Sequence, residues 1–175
     1  MRIVGGRFAG WDLTSPNDFR VRPTAELVRA AMLDRLGNRV AQTRVLDLFA
    51  GTGALGLEAL SRGAATADFV ETRASSLHAL KANIVLLRAR DRTRVFKKDA
   101  LPFAAALREG NYDIAFVDPP YGSRMLDRVI EAWQRNHFSA ILVAEHATSH
   151  TLPPGAELEH FGETSVSFYG LHTAG

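Results

Sequence analysis

Cysteine is absent from this 175-residue chain. Its absence excludes a disulfide framework, a thiolate nucleophile and a cysteine-ligated zinc, and it permits a reducing compartment. Long apolar runs are missing too. None approaches the ~18 to 20 residues needed to span a bilayer, and the opening Met1-Arg2-Ile3-Val4-Gly5-Gly6 is too short for a secretory core. A cytoplasmic location with no membrane association is therefore expected. No internal repeat or low-complexity segment occurs. Lysine and arginine are lacking from residues 137 to 175, which hold four glutamates, whereas residues 1 to 46 hold eight arginines against four acids. An electropositive first segment suits a polyanionic partner, although an uneven surface gives the same counts. With 46% hydrophobic and 23% charged residues, disordered and fibrous architectures are excluded. The length fits one domain of ordinary size.

Two seams break the composition. The first precedes Arg22-Pro23-Thr24: short apolar stretches at Ile3-Val4 and Trp11-Asp12-Leu13, separated by Gly5, Gly6 and Gly10, read as a small hairpin beside the main domain. Thr24 is placed to cap a helix whose apolar positions are Leu27, Val28, Ala31, Met32 and Leu36, with Gly37 ending it. From Arg44 onward, β-type runs alternate with helical stretches. The strands are expected at 45–49, 69–71, 94–97, 114–117 and 140–144, a pattern that indicates a parallel sheet covered on both faces. After the second seam, Thr151 to Gly155, residues 157–161 and 164–169 complete seven strands. Ligands of such sheets bind at the carboxyl ends of the strands, where strand order reverses.

At that edge, Asp47-Leu48-Phe49-Ala50-Gly51-Thr52-Gly53-Ala54-Leu55-Gly56 runs from a strand into a helix and matches G-x-G-x-x-G. The glycines let the backbone turn sharply and approach a nucleotide-like cofactor. The pattern alone does not separate a nicotinamide dinucleotide from S-adenosylmethionine. Asp47 favours the second, because a carboxylate there repels a pyrophosphate and attracts an amino group and a sulfonium. Glu71, 24 residues on, can accept both ribose hydroxyls; it also reads as a surface acid, and Arg73 nearby keeps a ribose phosphate open. Asp99-Ala100 is placed to reach an adenine amine, and Asp99 also reads as an ordinary helix N-cap.

Asp118-Pro119-Pro120-Tyr121, where the fourth strand ends, is the most specific signal. An exocyclic amine on a base is a poor nucleophile because its lone pair is delocalised into the ring. The Asp118 carboxylate and the Pro119 carbonyl can hold its two hydrogens and aim the lone pair at a methyl carbon, with the prolines stiffening both acceptors. Tyr121 would stack on a base turned out of its helix or loop. The bland alternative is a strand end with Tyr121 filling a core gap. Lys97 and Lys98 read as solvated lysines, and the basic run Leu87 to Arg94 as a turn at the opposite edge. His146 and His150 are four apart, but no helical pattern surrounds them, so no metal site is expected.

Together these segments resemble a known family. Gly5-Gly6-Arg7, Arg22-Pro23-Thr24, Leu46 to Gly53, Gly56-Leu57-Glu58-Ala59, Ser61-Arg62-Gly63-Ala64 and Asp118-Pro119-Pro120-Tyr121 are similar to the bacterial RsmD-type methyltransferases of small-subunit ribosomal RNA, over nearly the whole chain. The resemblance implies an α/β seven-stranded Rossmann-like class I S-adenosylmethionine-dependent methyltransferase fold with a short N-terminal β-hairpin appendage. Residues 1–22 would form the hairpin arm that contacts RNA, and 23–175 the methyltransferase domain. The implied reaction is methylation of the exocyclic N2 of a guanine in 16S rRNA, the guanine(966)-type site, during ribosome assembly. The implied partner is 16S rRNA within a small subunit or an assembly intermediate, met by a monomer without metal. Mapped onto this sequence, Asp118, Pro119, Pro120 and Tyr121 are the catalytic candidates. Asp47, Phe49, Ala50, Gly51, Thr52, Gly53, Glu71, Thr72, Asp99 and Ala100 are those for S-adenosylmethionine, and Arg7, Arg20, Arg22 and Thr24 those for RNA. Ala30 departs from the glutamate usual in the family, Thr52 from a commoner serine, and Ala9 and Trp11 stand where basic residues are frequent. Competing readings are a DNA adenine-N6 methyltransferase, for which a target-reading domain is missing, a nicotinamide oxidoreductase, and a non-catalytic ribosome-assembly factor.

Overall fold

A computed structural model describes residues 1–16 and 23–171. Seven strands, β1 (Arg44–Leu48), β2 (Thr66–Val70), β3 (Thr93–Phe96), β4 (Tyr112–Val117), β5 (Ser139–Ala147), β6 (Ala156–Phe161) and β7 (Thr164–Tyr169), form one sheet in the order β3-β2-β1-β4-β5-β7-β6. The first five are parallel, and β7 runs antiparallel to β5 and β6. Helix α1 (Pro23–Leu36) precedes the sheet, while α2 (Ala54–Ser61), α3 (Ala74–Leu86), α4 (Ala100–Ala105) and α5 (Met125–Asn136) connect successive parallel strands. Alternation divides the buried residues between two faces. Val45, Ile114, Phe116, Ile141 and Val143 pack toward α1, α2 and α3, and Leu46, Leu48, Ala115, Val117 and Leu142 pack toward α4 and α5.

All seven expected strands form, and the boundary differences have physical causes. β2 begins earlier than its apolar run because Asp68, a charge inside a strand, is buried yet answered by Arg94 (Nη2–Oδ2 2.6 Å) and the Tyr112 hydroxyl (2.7 Å). β5 extends through Ala147 because β7 pairs with Glu145, His146 and Ala147. Helix α1 starts at Pro23, so Thr24 lies in its first turn and does not cap it. Proline suits that position, since its missing N–H would have no helical partner there. Val28, Met32 and Leu36 face the core as expected, whereas Leu27 is 66% exposed.

Residues 1–13 fold back on themselves through an antiparallel bridge between Arg2 and Asp12, with Ile3 N–H donating to Trp11 O and Gly10 N–H to Ile3 O. This hairpin is bound tightly to the domain. Ile3, Phe8 and Leu13 are buried in the main core, and Arg7 N–H donates to the Ser61 carbonyl at 2.7 Å. The principal attachment is Glu58 of α2, which is fully buried. Its carboxylate accepts the Val4 and Gly5 N–H groups at 3.0 and 2.8 Å and Arg62 Nε at 3.2 Å, and it lies 3.4 Å from Arg29 Nε of α1.

Removing a buried charge strands its partners. Glu58→Ala is expected to lower stability by about 3–5 kcal/mol, because Arg29 is left buried without its counter-charge. Asp34→Ala, which removes only the exposed partner of Arg62, should cost less than about 1 kcal/mol. Urea unfolding of the two variants beside the wild type measures the difference.

Candidate active site at the carboxyl edge of the sheet

Strand order reverses between β1 and β4, and the segments leaving those two strands meet at one edge. After Leu48 the backbone enters the left-handed region at Phe49 (φ 59°), Gly51 (φ 57°) and Gly53 (φ 82°) before α2 begins. The glycines serve different needs. A Cβ on Gly53 would strike Leu80, and one on Gly56 would strike Phe69, so both are required for packing of α2 and α3 over the sheet. A Cβ on Gly51 would meet nothing within 4 Å. Gly51 therefore presents bare backbone to open space, the form of a cradle into which a ligand fits closely.

Carboxylates frame that cradle. Asp47 is buried under it, and its Oδ2 accepts the Gly56 N–H at 3.0 Å, one of the first-turn donors of α2 that no helical carbonyl satisfies. Burial pushes its pKa up to about 8, the Gly56 N–H opposes the shift, and the negative charge of Glu71 adds to it. Glu71 is half-buried. Its Oε2 accepts Gly51 N–H at 2.8 Å, and its Oε1 accepts Thr72 and Arg73 N–H at 3.0 and 2.9 Å. Glu71 thus ties the glycine loop to the β2–α3 turn, and a ligand's hydroxyls would share its remaining lone pairs. Asp99 is exposed and caps α4 by accepting Leu101 N–H at 3.2 Å, with Ala100 buried behind it. Thr52 is buried, its carbonyl held by Asn83 Nδ2 at 3.0 Å.

Across the edge, Asp118 stands open to solvent at the end of β4, backed by protein on its other sides. That surrounding, together with the charges of Glu145 and Asp47, raises its pKa well above the usual carboxylate range. Pro119 is buried, and Ser123 Oγ donates to the Pro120 carbonyl at 2.9 Å, which pins the loop. Tyr121 does not fill the core. Its ring is 49% exposed, and its hydroxyl bonds Thr164 Oγ1 at 2.9 Å and the Glu145 carboxylate. A cleft of about 300 Å³ opens beside it, lined by Pro119, Tyr121, Arg124, Glu145, His146 and His150.

Glu145 and Arg29 were not singled out by sequence. Pairing of Val117 with Ala144 makes Asp118 and Glu145 the next residues on adjacent parallel strands. Burial raises the pKa of Glu145, opposed by the Tyr121 hydrogen bond and the positive charge of Arg29. The signal available was a charged residue directly after the apolar run 140–144. His146 bonds Ser167 Oγ at 2.8 Å, and His150 bonds Asp127 at 3.0 Å; no metal-binding cluster occurs among the described residues. Of the candidates for RNA, Arg7 is exposed with its guanidinium over the Phe8 ring. Arg20 and Arg22 lie outside the described residues, as does the side chain of Thr24. Lys97 and Lys98 are exposed at the same edge, and the basic run ending at Arg94 lies at the opposite one. No described helix is long and apolar enough to cross a membrane.

Comparison with known proteins gives the family of this fold. The family model described as conserved hypothetical protein 95 matches residues 1–170. Ribosomal RNA small subunit methyltransferase D of Escherichia coli K12 is 35% identical over 157 residues, 87% of this chain and 78% of the relative. A hypothetical protein of Thermus thermophilus superimposes with a TM-score of 0.80 at 30% identity, covering 98% of this chain and 99% of that one. The 16S rRNA N2 G1207 methyltransferase RsmC of T. thermophilus, solved with AdoMet and guanosine, shares the fold at TM-score 0.65 and 22% identity, over 87% of this chain and 44% of that one. A Rossmann-like sheet with a glycine cradle facing Asp118 to Tyr121, matched along almost its whole length, places the chain in the RsmD-type methyltransferase family.

Proposed function

We propose that the protein transfers a methyl group from S-adenosylmethionine to the exocyclic N2 of a guanine in 16S rRNA, at the guanine(966)-type site, in the cytoplasm during small-subunit assembly. The observation that carries this reading is the placement of Asp118, Pro119 and an exposed Tyr121 directly across the strand reversal from the open backbone of Gly51. The relative in E. coli is named for action on small-subunit ribosomal RNA, and the fold relative RsmC is solved with AdoMet and guanosine. S-adenosylmethionine supplies an electrophilic methyl on a sulfonium that is already an activated leaving group. The residues present fit it. Gly51 leaves room for it, Glu71 has lone pairs for a ribose diol, Asp99 and Ala100 would flank the adenine end, and the buried Asp47 carboxyl, with its pKa pushed up to about 8, would be drawn toward its ionised form by the cationic end.

The chain's own work is positional. Asp118 and the Pro119 carbonyl accept the two N2 hydrogens and turn the nitrogen lone pair toward the glycine cradle. The prolines and the Ser123 hydrogen bond keep these acceptors from swinging, which lowers the entropic cost of alignment. Tyr121, held at its hydroxyl, presents a ring face for the base to stack on. The proton leaves to Asp118, whose raised pKa suits it as acceptor, or to water. Arg7, exposed on the hairpin, is assigned to the RNA backbone, together with Arg20, Arg22 and Thr24 on the strength of their sequence positions, and a monomer without metal suffices.

Two measurements test this reading. Labelled methyl from S-adenosylmethionine should pass to small-subunit particles from cells lacking the gene, and nucleoside analysis should return N2-methylguanosine. Asp118→Ala should slow the transfer by about 10²–10³-fold, and Asp118→Asn, which keeps one acceptor, by less. Label appearing only as N6-methyladenosine in DNA would select the adenine reading. The second measurement concerns Asp47. With a folded pKa of about 8 against ~3.9 unfolded, the folded state holds a proton between those values that the unfolded state does not. Its contribution to stability therefore falls as pH rises from about 4 to about 8. Melting temperatures across that window should fall for the wild type relative to Asp47→Asn, and the variant should bind S-adenosylmethionine about tenfold more weakly. Equal affinity in both proteins would remove Asp47 from the cofactor site.

A further inference from the structure

The register of the sheet gathers three carboxylates on one face of its carboxyl edge. Val45 pairs with Ile114, Asp47 with Phe116, and Phe116 with Val143, so Asp47 and Glu145 point to the same side, with Asp118 between them. Asp47 lies under the cofactor cradle, and Asp118 is assigned to the amine. Glu145 has no part in either task. It lines the cleft beside Pro119 and Tyr121, is only half-buried near the end of β5, and its neighbours leave it acceptor capacity. Tyr121 O–H donates to it, whereas a carboxylate accepts about four hydrogen bonds. Arg29, itself buried, lends it positive charge from α1 without a hydrogen bond to it.

We infer that Glu145 accepts the N1–H of the target guanine and so makes the site select a guanine edge. The inference rests on the proposed N2 methylation and adds the residue that reads the base. A guanine offers N1–H and the two N2 hydrogens on one edge, with N1–H and the nearer N2–H pointing the same way. Carboxylates on neighbouring strands about 4.8 Å apart can converge on that donor row, Asp118 and the Pro119 carbonyl taking the amine and Glu145 the ring N–H. Adenine offers only its amine hydrogens, and its N1 is an acceptor whose lone pair would face the Glu145 carboxylate. A site built around a substrate N–H rejects a base lacking it more strongly than shape alone can, because a buried polar group is then left unpaired.

The discriminating substrate is 2-aminopurine, which keeps the exocyclic N2 amine but lacks the hydrogen on N1. 16S rRNA carrying guanine or 2-aminopurine at the target position, assembled into small-subunit particles, is methylated at alkaline pH by wild type, Glu145→Gln and Tyr121→Phe. Wild type should prefer guanine by at least about 100-fold in kcat/KM. Glu145→Gln can donate to the bare N1, so its preference should collapse to within a few-fold through loss on guanine and gain on 2-aminopurine. Tyr121→Phe removes the phenol that Glu145 holds but leaves the carboxylate, and should keep the preference even if it turns over more slowly. Unchanged discrimination in Glu145→Gln overturns the inference, as does an equal collapse in Tyr121→Phe, which would mean that Glu145 acts through the ring. Absence of N2 methylation by wild type on either RNA would instead defeat the proposed function, and this inference with it. Melting temperature and S-adenosylmethionine binding of Glu145→Gln, expected at wild-type values, separate loss of base reading from loss of fold.

Discussion

Glu58 carries a charge in a fully buried place, and the helical layer over the site is built to answer it. Desolvating a carboxylate is costly unless several N–H donors and a counter-charge replace the lost hydration. Here the replacements come from three separate parts of the chain: the backbone of Val4 and Gly5, the guanidinium of Arg62 one turn along α2, and Arg29 of α1. Meeting that one demand therefore fixes the hairpin, α1 and α2 against each other. The consequence reaches the site, because α2 springs from the glycine cradle and Arg29 also lends positive charge to Glu145. A line of alternating charge, Glu58, Arg29, Glu145, then runs from the first residues of the chain to the carboxylate next to Asp118.

The parallel sheet supplies the complementary constraint. Side chains alternate faces along a strand, so residues in register on neighbouring strands share a face without further design. Three acids brought together this way repel one another, and burial adds to the repulsion. Desolvation by the surrounding protein raises the pKa of Asp47, Asp118 and Glu145, and at Asp118 the charges of Glu145 and Asp47 add to the rise. A site lined with acids whose ionisation is held back in this manner is poorly suited to phosphate and well suited to a cation and to a base edge rich in N–H donors, either of which favours the ionised form, and that is the chemistry a sulfonium cofactor and an amine acceptor together provide.

Much of this was legible in the sequence. Short β-type runs of three to six residues marked each strand, and the glycine spacing and Asp118-Pro119-Pro120-Tyr121 pointed to the edge, because those signals are local. What escaped depends on contacts between distant segments. Asp68 interrupted the hydrophobic pattern of β2, and only Arg94 and Tyr112, on other strands, show why a charge is tolerated there. Glu145 followed an apolar run like any strand-ending acid, and its meaning comes from being beside Asp118 across a parallel pair. Arg29, in the first expected helix, carries no local signal that it is buried on Glu58. The hairpin was recognised from its glycines, but its attachment through Ile3, Phe8 and Glu58 has no signature in spacing.

The reversal of β7 has its own bearing on the aromatic ring at the edge. Because β7 runs against β5, its first residue, Thr164, pairs with Ala147 and arrives where the parallel strands finish. A strand running the other way would have delivered its last residue there and left its beginning at the far side of the molecule. The hydroxyl that holds Tyr121 is thus set by the tight connection between β6 and β7, at Gly162 and Glu163, more than forty positions later in the chain. The closing hairpin works as a strut, and the tilt of the ring that would meet a base is governed by the geometry of a surface turn.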